Sequence, residues 1–167
     1  PGRSTYYSFI PASIGEAAKT TFVEIKESTR LLSARGFGST FIKLGDKILE
    51  EKEVLFADSN FFSVFTSPLL EGDAKTALEK PNSIVLNQSS ALKYFGSKTG
   101  VLGKTMDIED RPYTITGLVA DWPDHAHFGF NMLISTNTFL QNEPRNYINF
   151  SAHTYLLLKE NTDAIKL

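Results

Sequence analysis

Lys104-Thr105-Met106-Asp107-Ile108, Glu109-Asp110-Arg111-Pro112 and Tyr113-Thr114-Ile115-Thr116-Gly117-Leu118-Val119-Ala120 follow one another in the chain, and together they decide the fold class. Apolar and polar residues alternate on both sides of a polar turn, the pattern of a β-hairpin with one buried face. In the second arm the alternation puts Tyr113, Ile115, Gly117 and Val119 on one side. The segments on either side repeat the theme. Phe22 to Leu31 alternates in part and reads as a half-buried strand, and Ser83-Ile84-Val85-Leu86 as a short buried one. Phe128 to Ile134 and Ala152 to Lys159 read as further strands, and Tyr6 to Ile10 as another ending at Pro11.

A second hairpin is expected from Ser39 to Leu44, across Gly45-Asp46, to Lys47–Ala57, with Glu53 to Ala57 as its clearer arm. Gly36-Phe37-Gly38 is a turn. Helices are few and short. Ala12 to about Thr21 carries Ser13 as N-cap with Glu16 at capping-box spacing. Asp58 is positioned to cap a turn that buries Phe61, Phe62 and Phe65. Pro68 and Gly72-Asp73 punctuate its exit, and Ala74 to Leu78 is a helical turn stopped by Pro81. Asn87 or Ser89 caps Ser90 to Phe95, which Gly96 ends in the left-handed conformation. Ser135 caps a short helix through Leu140, Gln141 to Asn149 is a polar loop, and Thr162 to Leu167 is a helix's first turn. The fold class is α+β, with strands more abundant than helices.

The 167 residues fit one domain, or two small lobes sharing a core. Seventeen Lys and Arg against nineteen Asp and Glu leave a net charge of −2, without the basic excess that a nucleic-acid binder uses on phosphates. The hydrophobic share of 41% and charged share of 22% are those of a globular chain. No cysteine is present, which excludes disulfide scaffolds, thiol nucleophiles and Cys-ligated zinc. Apolar runs such as Tyr155-Leu156-Leu157-Leu158 are strand-sized, far short of the ~20 residues that cross a bilayer. The opening Pro1-Gly2-Arg3, without Met or a signal-peptide core, makes the chain read as part of something longer.

Few constellations suggest chemistry. Gly100-Val101-Leu102-Gly103-Lys104-Thr105 mimics the end of a phosphate-binding loop, but Lys98 holds the place of the required glycine. It also leads into a strand rather than a helix, so it reads as a tight turn. Asp121, Asp124, His125 and His127 could be metal ligands, with His153 the one other histidine; a solvated loop is the simpler reading. Glu50-Glu51 and Glu109-Asp110 read as exposed charge without the apolar setting of a general acid. No Gly-x-Ser-x-Gly elbow occurs, and the sequons at Asn87 and Asn149 are short enough to arise by chance. The Phe61-Phe62-Val64-Phe65 group reads as core, and Trp122 beside Pro123 as the best candidate for an exposed contact.

Seven pieces in fixed order carry a family resemblance. They are Ala57-Asp58-Ser59-Asn60-Phe61-Phe62-Ser63-Val64-Phe65, Pro68 to Asp73, Ala77 to Leu86 with Pro81 and Ser83, and Ala91-Leu92-Lys93-Tyr94-Phe95-Gly96. Leu102-Gly103-Lys104-Thr105, Tyr113 to Val119 with Gly117, and His127-Phe128-Gly129-Phe130-Asn131 complete the series. In this order the chain resembles the extracytoplasmic core domain of MacB/FtsX-type ABC transporter permeases of the kind abundant in Bacteroidetes. The resemblance implies structural rather than catalytic duties for Asp58, Phe61, Phe62, Phe65, Pro81, Ser83, Tyr94, Phe95, Gly96, Gly103, Lys104, Tyr113 and Gly117.

It further implies a mixed α/β porter-like lobe, about residues 1–35 with 125–167, and an inserted β-rich lobe, about residues 36–124. Such a domain lies on the periplasmic face of the inner membrane, between the first and second transmembrane helices. It has no cofactor of its own; ATP binds a cytoplasmic ATPase partner, and the permease works as a dimer, in some cases with a periplasmic adaptor. The implied role is non-catalytic: coupling ATP-driven helix movement to the handling of a substrate or partner. A free-standing envelope ligand-binding or sensor module is the alternative, and would require a partly apolar pocket with convergent polar groups. An enzyme ranks third.

Overall fold

A computed structural model of the chain describes residues 10–11, 13–34, 40–44, 47–123, 125–138 and 150–164. In chain order the elements begin with β1 (Ile10–Pro11), α1 (Ile14–Thr21), β2 (Ile25–Ser33), β3 (Thr40–Leu44), β4 (Lys47–Glu51) and β5 (Val54–Ala57). Next come α2 (Phe61–Val64), β6 (Leu69–Gly72), β7 (Ser83–Asn87), α3 (Gln88–Phe95), β8 (Thr105–Ile108) and β9 (Arg111–Val119). The chain then forms β10 (Met132–Ser135), a 3-10 turn (Thr136–Thr138) and β11 (Phe150–Leu158). Among the described residues one mixed sheet takes the order β1-β11-β2-β5-β10-β7-β9-β8-β3-β4, with β6 added to β9. The expected α+β class is what this sheet and its few helices make.

Every residue of β7 and of β10 is buried, so both faces of the sheet centre need a cover. Ile84, Leu86, Met132 and Ile134 point to one side, where Ala91 and Tyr94 of α3 and Ile42, Met106 and Ile108 close over them. Val85 and Leu133 point to the other, under Phe61, Leu78 and Phe130. Strand β5 runs parallel to β10, pairing Val54 with Met132 and Ala57 with Ser135. Antiparallel β2 lies beyond β5 and pairs in turn with β11, bringing Leu31 to His153.

The hairpin reading from Lys104 to Val119 holds, with strand structure starting at Arg111 and the turn at Glu109-Asp110, both at positive φ. One detail of it is corrected. Ile84 pairs with Ile115 but Val85 pairs with Gly117, so Thr116 is an extra residue on β9. The Thr116 hydroxyl donates to the carbonyls of Ala77 and Ile84, which fixes the bulge. Strict alternation is lost there: Tyr113, Ile115 and Leu118 face the α3 side and Val119 the aromatic side.

Other expectations shift as well. Lys47 to Ala57 is two strands, because exposed Lys52 and Glu53 part β4, which pairs with β3, from β5, which pairs with β2 and β10. Strand structure begins at Met132, not Phe128; Phe128 and Phe130 instead pack as aromatic cover beside the sheet. Ser13 precedes α1 without a side-chain cap. The Asn87 cap is confirmed, its carboxamide oxygen accepting from Ser90 N at 2.8 Å, as is Gly96 at φ 70°. The turn at 36–38, the loop at 141–149 and the segment 1–9 lie outside the described residues.

Gly117 is where β6, β7 and β9 converge. A Cβ there would sit 3.0 Å from both Leu69 Cδ2 and Val85 Cγ2. Gly117→Ala is expected to cost about 1–3 kcal/mol by urea denaturation, since half-buried Leu69 on one flank and buried Val85 on the other must give way. An unchanged unfolding midpoint would show that the strands can part without penalty.

Candidate functional site

Two polar clusters and an aromatic layer hold the conspicuous side chains. The first cluster centres on Glu51 at the end of β4, 5% exposed. Its Oε2 accepts from Lys93 Nζ at 2.8 Å and from the Tyr94 hydroxyl. Its Oε1 accepts from Asn131 Nδ2 at 2.9 Å and from Lys52 N at 3.1 Å. Burial alone would raise the Glu51 pKa, but the hydrogen bonds from Lys93, Tyr94 and Asn131 outweigh it and hold the carboxyl at about 2. Burial, reinforced by the bond to Glu51, pushes the Tyr94 phenol up to about 12. The expectation that Glu50-Glu51 is a solvated pair is therefore half wrong. Neighbours on a strand point to opposite faces, so Glu50 meets solvent while Glu51 turns inward beside Leu49.

The second cluster shows what Asp58 does. Arg30 Nε donates to Asp58 Oδ2 and Arg30 Nη2 to Oδ1, each at 2.8 Å, a two-pronged ion pair. Arg30 N adds a bond to Oδ2 at 2.9 Å, and the Thr136 hydroxyl one to Oδ1 at 2.8 Å. Burial would lower the Arg30 pKa, but Asp58 more than compensates and raises it. The cap reading of Asp58 is corrected: Asn60 occupies the N-cap of α2, and only the Asp58 carbonyl serves the helix, accepting from Phe61 N. Asn60 Nδ2 instead reaches Glu27 Oε2 and the Ser28 carbonyl. Lys19 also pairs with Glu27, chiefly lowering its pKa through that hydrogen bond.

The aromatic layer covers the opposite face. Phe61 lies edge-on to Phe62 and Phe130 and tilted against Phe65. Trp122 is half-buried, stacked on Phe128 with centroids 5.1 Å apart. Its indole N–H is buried without an acceptor. Tyr155 lies edge-on to Phe65, and its hydroxyl stands 2.9 Å from His127 Nε2.

The remaining motif residues turn or pack. The buried Ser83 opens β7, and Pro81 leads into Asn82, whose positive φ and carbonyl bond to Thr114 N shape the approach to that strand. Lys104 lies over the Phe95 ring at 5.4 Å, and burial raises the Tyr113 phenol pKa. In the phosphate-loop mimic, Gly103 N donates to the Ile115 carbonyl and Gly100 N to Glu71 Oε1. Those amides are committed to protein acceptors. Asp121 accepts from both Ser89 N and its hydroxyl at 2.9 Å, closing the start of α3. His127 and His153 line a common groove, apart from His125, and Asp124 lies outside the described residues. Among the described residues no three His, Asp or Glu side chains are grouped to hold a metal ion.

The structure defines a β-rich α+β domain whose conspicuous polar groups are bonded to one another. The family described as MacB-like periplasmic core domain matches residues 5–167, and the chain belongs to it. It is thus the periplasmic domain of a MacB-like ABC transporter permease. A domain of a Porphyromonas gingivalis protein described as a permease shares the fold at TM-score 0.81 and 24% identity, over 96% of this chain and 73% of that one. The periplasmic region of MacB from Actinobacillus actinomycetemcomitans aligns at TM-score 0.69 and 18% identity, over 98% and 72%. The extracellular domain of the noncanonic ABC-type transporter YknZ from Gram-positive bacteria aligns at 0.62 and 17%, over 95% and 77%. No curated protein matches the chain. No helix among the described residues is long and apolar enough to cross a membrane.

Two measurements test the clusters. Glu51 titrates at about 2 in the fold against an ordinary 4.5, so its stabilisation is complete above about pH 4.5 and is lost as pH falls toward 2. Glu51→Gln should therefore lose on the order of 3 kcal/mol at neutral pH, and urea titrations should show the gap closing over that acid window. A gap independent of pH would contradict the carboxylate's role. Arg30→Met and Asp58→Asn should each cost about 2–3 kcal/mol, because the remaining charge is left partly buried. The double variant should lose clearly less than the sum; strict additivity would mean the ion pair is not coupled.

Proposed function

We propose that this domain is non-catalytic and acts as a rigid coupling element, passing ATP-driven movement of the permease's membrane helices to a substrate or partner in the envelope. ATP binds a cytoplasmic ATPase partner, the domain takes no cofactor, and a second permease copy completes the transporter, with a periplasmic adaptor as a further partner. The working location is the periplasmic face of the inner membrane. Residues about 1–35 with 125–167 act as one lobe and about 36–124 as the inserted one; β2 pairs with β11 within the first, and β5 and β7 join the two through β2 and β10.

One observation carries this reading. Strand β1 runs antiparallel to β11, with Ile10 opposite Ala152 and Pro11 opposite Phe150. Strand β1 therefore lies against the first residues of β11, and a pull on the chain ahead of Ile10 acts across that strand pair. The ion pair of Arg30 with Asp58 and the Glu51 cluster tie neighbouring elements to that frame.

Spin labels at exposed Lys75 and Lys159 in a cysteine-free full-length permease, assembled with its ATPase, test the proposal by pulsed dipolar spectroscopy. On trapping with nucleotide, label distances between the two copies should change while the Lys75–Lys159 distance within one copy stays fixed. Unchanged distances between copies would overturn coupling, and a changed distance within a copy would overturn rigidity.

A further inference from the structure

A groove of about 430 Å³ opens on the sheet face beside the aromatic layer. Leu31 of β2, Leu55 of β5 and Tyr155 of β11 line it, and Phe128 from the β9–β10 connection adds a further apolar surface. Two imidazoles, His127 and His153, join the lining, and His127 Nε2 lies 2.9 Å from the Tyr155 hydroxyl. The volume falls within the roughly 300–1,000 Å³ of small-molecule sites, and an apolar lining with a few polar groups is their usual composition.

The chemistry of the lining narrows the ligand. Leu31, Leu55 and Phe128 offer nothing but apolar contact, so the body of the ligand is apolar. One hydrogen is spent in the His127–Tyr155 bond, and either tautomer leaves that pair one outward donor, the phenol O–H or the imidazole Nδ1–H, to meet an acceptor head. Burial raises the Tyr155 pKa, which keeps the phenol protonated. No carboxylate is among the described lining residues. No arginine or lysine is among them either, which disfavours a multiply charged phosphate. We propose that the groove binds a medium-chain carboxylate, its chain against Leu31, Leu55 and Phe128 and its head at His127, Tyr155 and His153. This site goes beyond the coupling role and does not depend on it.

The chain has three histidines, so their imidazole proton resonances form a small, assignable set. Titrating the 167-residue chain with octanoate should move the His127 and His153 signals saturably and leave His125 in place. Octanol, with the same chain and no charge, should bind about tenfold more weakly, and inorganic phosphate should move neither signal. His127→Phe should weaken octanoate binding about tenfold; if that protein fails to fold, Tyr155→Phe, which keeps the ring, should do the same. No saturable shift, equal movement of all three histidines, equal affinity for octanol, or wild-type affinity in a folded variant would each overturn the proposal.

Discussion

The fold rests on the burial of β7 and β10 on both faces. A strand whose every side chain is out of water needs apolar cover above and below, and neither hairpins nor helices alone supply it. The chain meets the demand with two unlike layers. On one side α3 and the β3, β8 and β9 side chains form an aliphatic core with Tyr94 at its margin. On the other, α2 and the segment from Trp122 to Phe130 lay down aromatic rings, whose large area covers the sheet with few residues. Parallel pairing of β5 with β10 and of β7 with β9 follows, because covered strands no longer need to alternate with adjacent hairpin partners.

Polar clusters mark where these layers meet. Glu51 joins the last hairpin strand to α3 and to the approach to β10; Asp58 joins β2 to the start of α2 and to the turn after β10. Both carboxylates are compensated by a cation and by neutral donors, the condition under which a buried charge holds geometry instead of opposing the fold. Their partners sit on different elements, so each cluster forms only when those elements have docked.

What was legible in the sequence was local. Gly96 could be assigned and the cap narrowed to Asn87 or Ser89, because a cap and a left-handed end are settled within one helical turn. The β8–β9 hairpin was readable because its turn and alternation lie in one window. Glu51 was not: its burial depends on Asn131, which is 80 residues away, and on the break at Lys52-Glu53 that sends β5 elsewhere. The slip at Thr116 was equally hidden, since Thr-Gly within an alternating run looks the same with or without an extra residue. Asp58 was marked by its motif but assigned the wrong duty, because the nearby helix offered a partner and Arg30 lies upstream on another strand. The groove at His127 and His153 joins two segments far apart in the chain, brought together through the β10–β5–β2–β11 pairings.

The pairing of β2 with β11 governs how the domain comes into being. Strand β2 comes early and β11 last among the described strands, so β2 has one edge open until the strands between them have been made. Closing so long a loop is an entropic cost met before any of its contacts form. A pairing of this range forms more slowly than the local hairpins. During synthesis the half-built sheet presents an unpaired edge to its neighbours, an exposure that ends only when β11 has been made and has docked.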